Sequence, residues 1–336
     1  MATLHGIDFS RDGKHAGHLA IPHSAHRSAY GQIVVPLVWI RNGPGPVALL
    51  TAGVHGDEFE GQIALRNLAR TLAPEEIRGG LLILPMANAP AVAGSSRLSP
   101  IDDLNLNRVF PGDHLGTPTQ AIAAAIEELL LPIFDYAYDI HSGGSSLLYD
   151  TLAVTTASGE AEADAQRMAL LKALGLDAAM LLTADGAMGL SASLDGAMLR
   201  QGVVGVSAEF GGAGGLSSHA LRECEWSLRR FLTHIGILPP EASEQKGSAQ
   251  PLRLYSVAAR GAYVYAEHSG LLELAVTIGT QVAVGDLLGR IHHLHDPLRA
   301  PVPVLAELAG RILSLRALPR IEIGDCVAQI GQEQRP

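Results

Sequence analysis

Cysteine is scarce: the 336 residues hold two, Cys224 and Cys326. That is too few for a disulfide framework, and a reducing, cytoplasmic compartment is the expectation. Positive charge is in deficit, with 24 Lys and Arg against 34 Asp and Glu, for a net charge of −10. A nucleic-acid partner therefore has no global electrostatic support. No uninterrupted apolar run approaches about 18 residues, so no membrane span is expected. The first thirty residues lack a charged-then-apolar leader, and no signal peptide is expected. They hold His5, His15, His18, His23 and His26 without tight ligand spacing, and read as an N-terminal arm with no metal role. What is abundant is glycine (37) and proline (19) in a chain that is 47% hydrophobic and only 17% charged. That mixture suits a compact globular protein with many turns, long enough for one large domain and a smaller one.

Apolar runs and helical patterns alternate over the first 238 residues. Val47–Val54 reads as a buried strand, followed by a helical run from Phe59 to Leu72. Gln32–Ile40 and Gly79–Asn88 read as further strands, the first leading through the turn Asn42-Gly-Pro-Gly-Pro46. Residues 89–117 are irregular, too long for an idle connection. Helices are expected at Thr119–Leu131, 160–175 and Ser218–Ile235, with strands at Phe134–Ile140 and Val203–Ala208. This alternation predicts a mostly parallel sheet covered by helices on both faces. The polar, breaker-rich segment 239–251 is taken as a linker, and 252–336 as a small β-rich barrel or sandwich. Within it, Val284-Gly-Asp-Leu-Leu-Gly-Arg-Ile291 and Ile323-Gly-Asp-Cys-Val-Ala-Gln-Ile330 echo each other, which predicts two similar halves. No Met-Lys-Met-like attachment site accompanies them, so this part is not read as a cofactor carrier.

Three segments share one pattern, an apolar strand ending in a polar residue with glycine close by. They deliver His55 and Glu58, then His141, then Glu209. In a parallel sheet such strand ends lie on one edge, where ligands bind. Two imidazoles and a carboxylate are the ligand set of a hydrolytic zinc site, and zinc makes water acidic near neutral pH. A further carboxylate is needed to move protons, and Glu209 is the candidate. Asp57 is the rival to Glu58 as ligand; i,i+3 spacing at a helix start favours Glu58. Asp139, two residues before His141, is placed to accept that ring's other N–H. The glycines that follow each group are read as opening a cleft. In the irregular stretch, Arg108 beside Asn107 suits a carboxylate, and Arg97 suits the oxyanion of a scissile carbonyl.

Together His55-Gly-Asp-Glu58, Asn105-Leu-Asn-Arg-Val-Phe-Pro-Gly112, Asp139-Ile-His141 and Ala208-Glu-Phe-Gly211 resemble the succinylglutamate desuccinylase/aspartoacylase family. The resemblance spans roughly residues 30 to 330 and implies the zinc-carboxypeptidase fold. It implies one zinc ion held by His55, Glu58 and His141, with Glu209 as catalytic base and Asn107 and Arg108 gripping a substrate carboxylate; Arg97 matches less closely. The tail Glu209-Phe-Gly-Gly-Ala-Gly-Gly215 and the helix after it resemble most the N-acetyl-diaminobutyrate deacetylase-like subgroup.

The expected activity is zinc-dependent hydrolysis of the amide of a small N-acyl amino acid, such as N-acetyl-diaminobutyrate, N-acetylaspartate or N-succinylglutamate. A metallocarboxypeptidase is the first alternative. A C-terminal part packed over the site would disfavour it by excluding long substrates, with Tyr263, Tyr265, His268 and Glu273 as residues able to reach the pocket. A non-catalytic binding protein retaining the fold is the second alternative, disfavoured because all four positions are filled. The partner expected is a small molecule, and a homo-oligomer is left open.

Overall fold

A computed structural model describes residues 2–183, 190–243 and 251–334. The N-terminal strands are β1 (Thr3–His5), β2 (Gly13–Pro22), β3 (Gln32–Asn42) and β4 (Val47–Ala52). Helix α1 (Phe59–Thr71), β5 (Gly79–Leu84), α2 (Ala89–Gly94) and α3 (Pro118–Ala125) follow. Next come β6 (Tyr136–His141), β7 (Leu147–Tyr149), β8 (Leu152–Ala157), α4 (Ala161–Ala173) and β9 (Ala178–Thr183). Helix α5 (Leu194–Arg200), β10 (Val204–Glu209) and α6 (Ser218–His234) complete this part. The remaining strands are β11 (Arg253–Ser256), β12 (Tyr263–Tyr265), β13 (Gly270–Leu274), β14 (Gln281–Val282), β15 (Leu287–His292), β16 (Val302–Leu305), β17 (Gly310–Arg316), β18 (Arg320–Ile321) and β19 (Cys326–Gln334).

The centre of the large sheet is the parallel run β5-β4-β6-β10. The middles of β4 and β5 are apolar: Leu49, Leu50 and Ala52 of β4 and Leu81, Leu82 and Ile83 of β5 are fully buried. Such continuous runs fit strands covered on both faces. One face packs against α1, α4 and α6 through Leu65, Leu170, Leu228 and Phe231. The other packs against α3 and α5 through Ile122, Leu194 and Met198. Connections from β4, β6 and β10 leave at one edge, so the three segments carrying the polar strand ends lie side by side.

The first thirty residues are built into the fold rather than forming an arm: β2 pairs with β3 over ten residues from Gly13 to Pro22. The sequence pattern also passes over β7, β8, β9 and α5. Their short runs (six residues or fewer for the strands, seven for the helix) give periodicity little to register. The strand read to Asn88 ends at Leu84. Of the expected linker, 244–250 lie outside the described residues. On its far side β11 adds parallel to β9 and antiparallel to β19, so β11, β12, β14, β17 and β19 continue the large sheet, while β13, β15, β16 and β18 form a separate four-stranded one. Leu152, Val154 and Met180 share one apolar cluster with Tyr255, Ala262 and Leu313.

The echo in the C-terminal sequence is a repeated turn. Gly285 and Gly324 have φ of 89° and 88°, and Asp286 and Asp325 accept the Ala283 and Glu322 N–H at 2.8 and 2.9 Å. Each turn feeds one strand, β15 in the four-stranded sheet and β19 in the large one.

Candidate metal centre and active site

Backbone sterics set the approach to the site. The chain leaves β4 through Gly53 at φ 69° and passes Gly56, whose missing side chain lets Ala91 O come close; a Cβ there would lie 1.9 Å from that oxygen. At Gly143 a Cβ would meet Leu147 O at 2.1 Å. These glycines allow backbones to pack together, whereas the sequence reading gave them the task of opening a cleft. His55 and Glu58 lie in the turn before α1, with Glu58 as N-cap residue making no side-chain cap bond. The helix start leaves its carboxylate free for the two imidazoles.

Glu58 sits between the rings: Oε1 is 2.7 Å from His55 Nδ1 and Oε2 is 2.8 Å from His141 Nδ1. The three ligating atoms lie within 4.8 Å of one another, and the residues are only 3%, 4% and 7% exposed for His55, Glu58 and His141. The outer ring nitrogens fix the tautomers. His55 Nε2 is 3.1 Å from Asn105 Oδ1, which already accepts the Asn107 N–H at 2.8 Å and is therefore the amide oxygen. His141 Nε2 donates to Asp139 Oδ2 at 2.7 Å, while Thr51 donates to Oδ1 at 2.6 Å. Both outer nitrogens thus carry hydrogen, and both Nδ1 lone pairs point at carboxylate oxygens. Electron pairs facing one another at these distances require a cation between them, either a proton or a metal ion. The donor set fits a divalent metal that accepts nitrogen and oxygen ligands.

The electrostatics agree. Burial pushes the His141 pKa down, but the Asp139 and Glu58 carboxylates outweigh it and hold the ring well above the ordinary histidine value. His55, buried with only Glu58 as anionic partner, is lowered. Burial would raise Glu58, but His55 and His141 hold it well below the usual carboxylate range. Asp57 is engaged elsewhere: its Oδ2 accepts Ser145 N and Oγ, each at 2.8 Å, and holds the loop after β6.

Glu209 ends β10 directly beside His141, its register partner at the end of β6. Its Oε2 is buried without a hydrogen bond. Burial raises its pKa well above the ordinary value, with Glu58 adding to the rise and His141 and Arg97 opposing it. Arg97 lies 3.5 Å from Glu58 Oε1, its side chain 43% exposed. Asn107 and Arg108 lie on the short turn Leu106–Arg108, which Asn105 caps. Asn107 Oδ1 accepts the Leu194 N–H at 2.8 Å, so its amide nitrogen is left for a ligand.

All seven residues expected at the site line one cleft of about 410 Å³. Its other walls include Tyr149, Tyr263, Tyr265, Asp195, Ser207 and Cys326. Of the four C-terminal residues expected within reach, the two tyrosines line the cleft. His268 is not among the lining residues, and Glu273 pairs with His292 at 2.8 Å on the surface. Asn105, Tyr149 and Asp195 went unmarked in the sequence. Asn105 had a signal, standing in the same Asn-Leu-Asn-Arg run; Tyr149 and Asp195 had none.

The polar groups of the cleft lie on the C-terminal edge of the central parallel sheet, and the proteins this chain matches are deacylases by name. The chain belongs to the succinylglutamate desuccinylase/aspartoacylase family, whose catalytic domain matches residues 44–235. It is 35% identical to the N-alpha-acetyl-L-2,4-diaminobutyric acid deacetylase of Halomonas elongata over 97% of this chain and 94% of that protein. Among solved structures, it is similar to the product-bound ectoine utilization protein EutE (DoeB) of Ruegeria pomeroyi. That likeness has a TM-score of 0.92 and 37% identity and covers 98% of each chain. A succinylglutamate desuccinylase/aspartoacylase from Rhodobacter sphaeroides gives 0.90 and 34%, again over 98% of each chain. No described helix is long and apolar enough to cross a membrane.

Proposed function

We propose that this chain is a cytoplasmic zinc-dependent deacylase that removes the acetyl group from N-acetyl-2,4-diaminobutyrate or a closely related small N-acyl amino acid. The observation that carries the reading is the convergence of ligating atoms of His55, Glu58 and His141 within 4.8 Å of one another, beside a Glu209 whose buried Oε2 has no hydrogen-bond partner. The likeness to the Halomonas deacetylase along nearly the whole chain supports the choice of acyl group. In this reading residues 1–238 carry the hydrolytic site and 252–336 complete its wall.

Zinc on His55, Glu58 and His141 would supply the positive charge that polarises an acyl carbonyl and makes water a nucleophile near neutral pH. The remaining work belongs to the chain. Glu209 takes a proton from the attacking water and returns it to the leaving amine, a task suited to a carboxyl whose pKa burial raises. Arg97 turns its guanidinium toward the developing oxyanion. Arg108 and the Asn107 amide nitrogen hold the free carboxylate and so register the amide against Glu209. Asp139 and Asn105 keep the two imidazoles in the tautomer that exposes Nδ1.

The carboxypeptidase alternative has less support, because Tyr263 and Tyr265 wall a cleft that would have to admit a peptide. The scaffold alternative has no vacancy to point to, with every polar position filled. The test is hydrolysis of N-acetyl-diaminobutyrate, N-acetylaspartate, N-succinylglutamate and a C-terminal dipeptide by zinc-loaded protein. Preference for the first supports the proposal; turnover of the dipeptide alone would overturn it.

A further inference from the structure

The cleft has a second half that the hydrolytic groups do not use. On β10, Ser207 lies two residues before Glu209 on the same face and pairs with Asp139 and Val154 across the neighbouring strands. Asp195, in the first turn of α5, places Oδ1 2.6 Å from Ser207 Oγ. Val154, opposite Ser207, and Met180, Leu182 and Leu190 line the same cleft.

The four lining carboxylates differ in their partners. Glu58 lies between two imidazoles, Asp325 pairs with Arg316 at 2.9 Å, and Glu209 stands beside His141 as the base. Asp195 has a single hydroxyl donor and, among the described residues, no cation within 4.0 Å. His141 and Arg167 act on it only from farther off and Asp139 opposes them, so burial still dominates; a buried carboxylate with no cation in direct contact is costly to keep. Its position is also tied to the carboxylate grip, because the Asn107 amide bonds the backbone of Leu194, the residue next to it.

We propose that Asp195, oriented by Ser207, receives the side-chain ammonium of an N-acyl diamino acid. The enzyme would thereby select diamino acids over uncharged amino acids of equal length. This rests on the deacylase reading above. With the α-carboxylate on Asn107 and Arg108 and the amide beside Glu209, a short aliphatic side chain crosses Val154 and Met180 and ends at Asp195. The apolar walls cover the methylenes and the carboxylate meets the charge. A substrate bearing an anion in that side chain, such as N-acetylaspartate, meets like charge there and is rejected.

The test measures calorimetric binding of 2,4-diaminobutyrate and of norvaline, in which a methyl replaces the ammonium, to the zinc-loaded full chain. Turnover of their Nα-acetyl derivatives is measured alongside. The wild-type protein is expected to prefer the diamino acid by at least about 100-fold, with roughly 10⁴-fold as the reach of a site built to bind a polar group against analogues lacking it. Asp195→Asn is expected to abolish that preference, chiefly through KM in the turnover assay, and Ser207→Ala to reduce it less. Leu182→Lys, which adds an ammonium to the wall of the same cleft, is expected to abolish it with Asp195 intact. A preference that survives both Asp195→Asn and Leu182→Lys would overturn the proposal, as would equal loss of both ligands. Hydrolysis without preference would sink the subsite and leave the deacylase standing. Preference that depends on Asp195 without hydrolysis would do the reverse.

Discussion

Glu209 and the outer partners of the imidazoles are where single atoms decide the outcome. Replacing Glu209 by Gln removes the proton acceptor without touching the three ligands. The variant is expected to keep its zinc stoichiometry and lose about 10²- to 10⁴-fold in kcat. Metal analysis and turnover on the same sample check this, and wild-type turnover would contradict it. Asn105→Ala removes the acceptor from His55 Nε2, and about a 10- to 100-fold loss of zinc affinity is expected by competitive chelator titration. The proton balance follows from His141. Its folded pKa is raised, which favours the protonated ring in the metal-free protein, and any stability the proton confers is lost as pH rises through the folded value. Zinc needs the same lone pair. Zinc uptake near neutral pH should therefore release protons, and affinity should fall as pH falls. Calorimetry in buffers of different ionisation heat reads the released protons; zinc binding with no proton release would contradict the assignment.

At the scale of elements, the strand ends were the part of the site legible in sequence. Val47–Ala52, Tyr136–His141 and Val204–Glu209 are apolar runs that stop at a polar residue, and the parallel sheet turns that repetition into adjacency. The i,i+3 spacing that favoured Glu58 assumed a helix start, which the structure does not supply for this pair. The pair lies in a turn ahead of the helix, and Asp57 is taken up by Ser145 in a loop that local spacing does not foretell. Asp195 was illegible for a similar reason. It lies in a helix of seven residues and depends on a strand partner twelve positions on. The irregular stretch is held by its own device. Asp102 accepts the Thr119 N–H at 2.8 Å and hydroxyl at 2.7 Å, anchoring the loop to the first turn of α3. Burial pushes the Asp102 pKa up, but these bonds outweigh it and leave it lowered. A lowered folded pKa means stability that is present above the unfolded value of about 3.9 and lost as pH falls through the folded one. Asp102→Asn should lower the unfolding midpoint at pH 7 and flatten its acid dependence below pH 4. An unchanged acid profile would show that the anchor carries no such linkage.

For the whole molecule, the two-part division of the sequence conveys texture better than mechanics. The change to short β-runs after residue 252 is real, yet β11 and β19 extend the main sheet and share an apolar cluster with β8 and β9. Asp150 reaches across to Arg311 at 2.6 Å, and Tyr263 and Tyr265 wall the cleft. None of this long-range pairing leaves a local mark. A chain ending at residue 243 would expose the cluster around Leu152 and Met180. It is expected to lose cooperative unfolding and turnover together, as read by near-ultraviolet circular dichroism and the deacylase assay. A soluble, cooperatively folding fragment would contradict that account.

The central claim is that one ion sits among His55, Glu58 and His141. Anomalous diffraction at the zinc edge from zinc-loaded crystals tests it directly. A single peak about 2.0 to 2.2 Å from both Nδ1 atoms and a Glu58 carboxylate oxygen is the predicted result. A peak located elsewhere, with no density joining these three side chains, would contradict it.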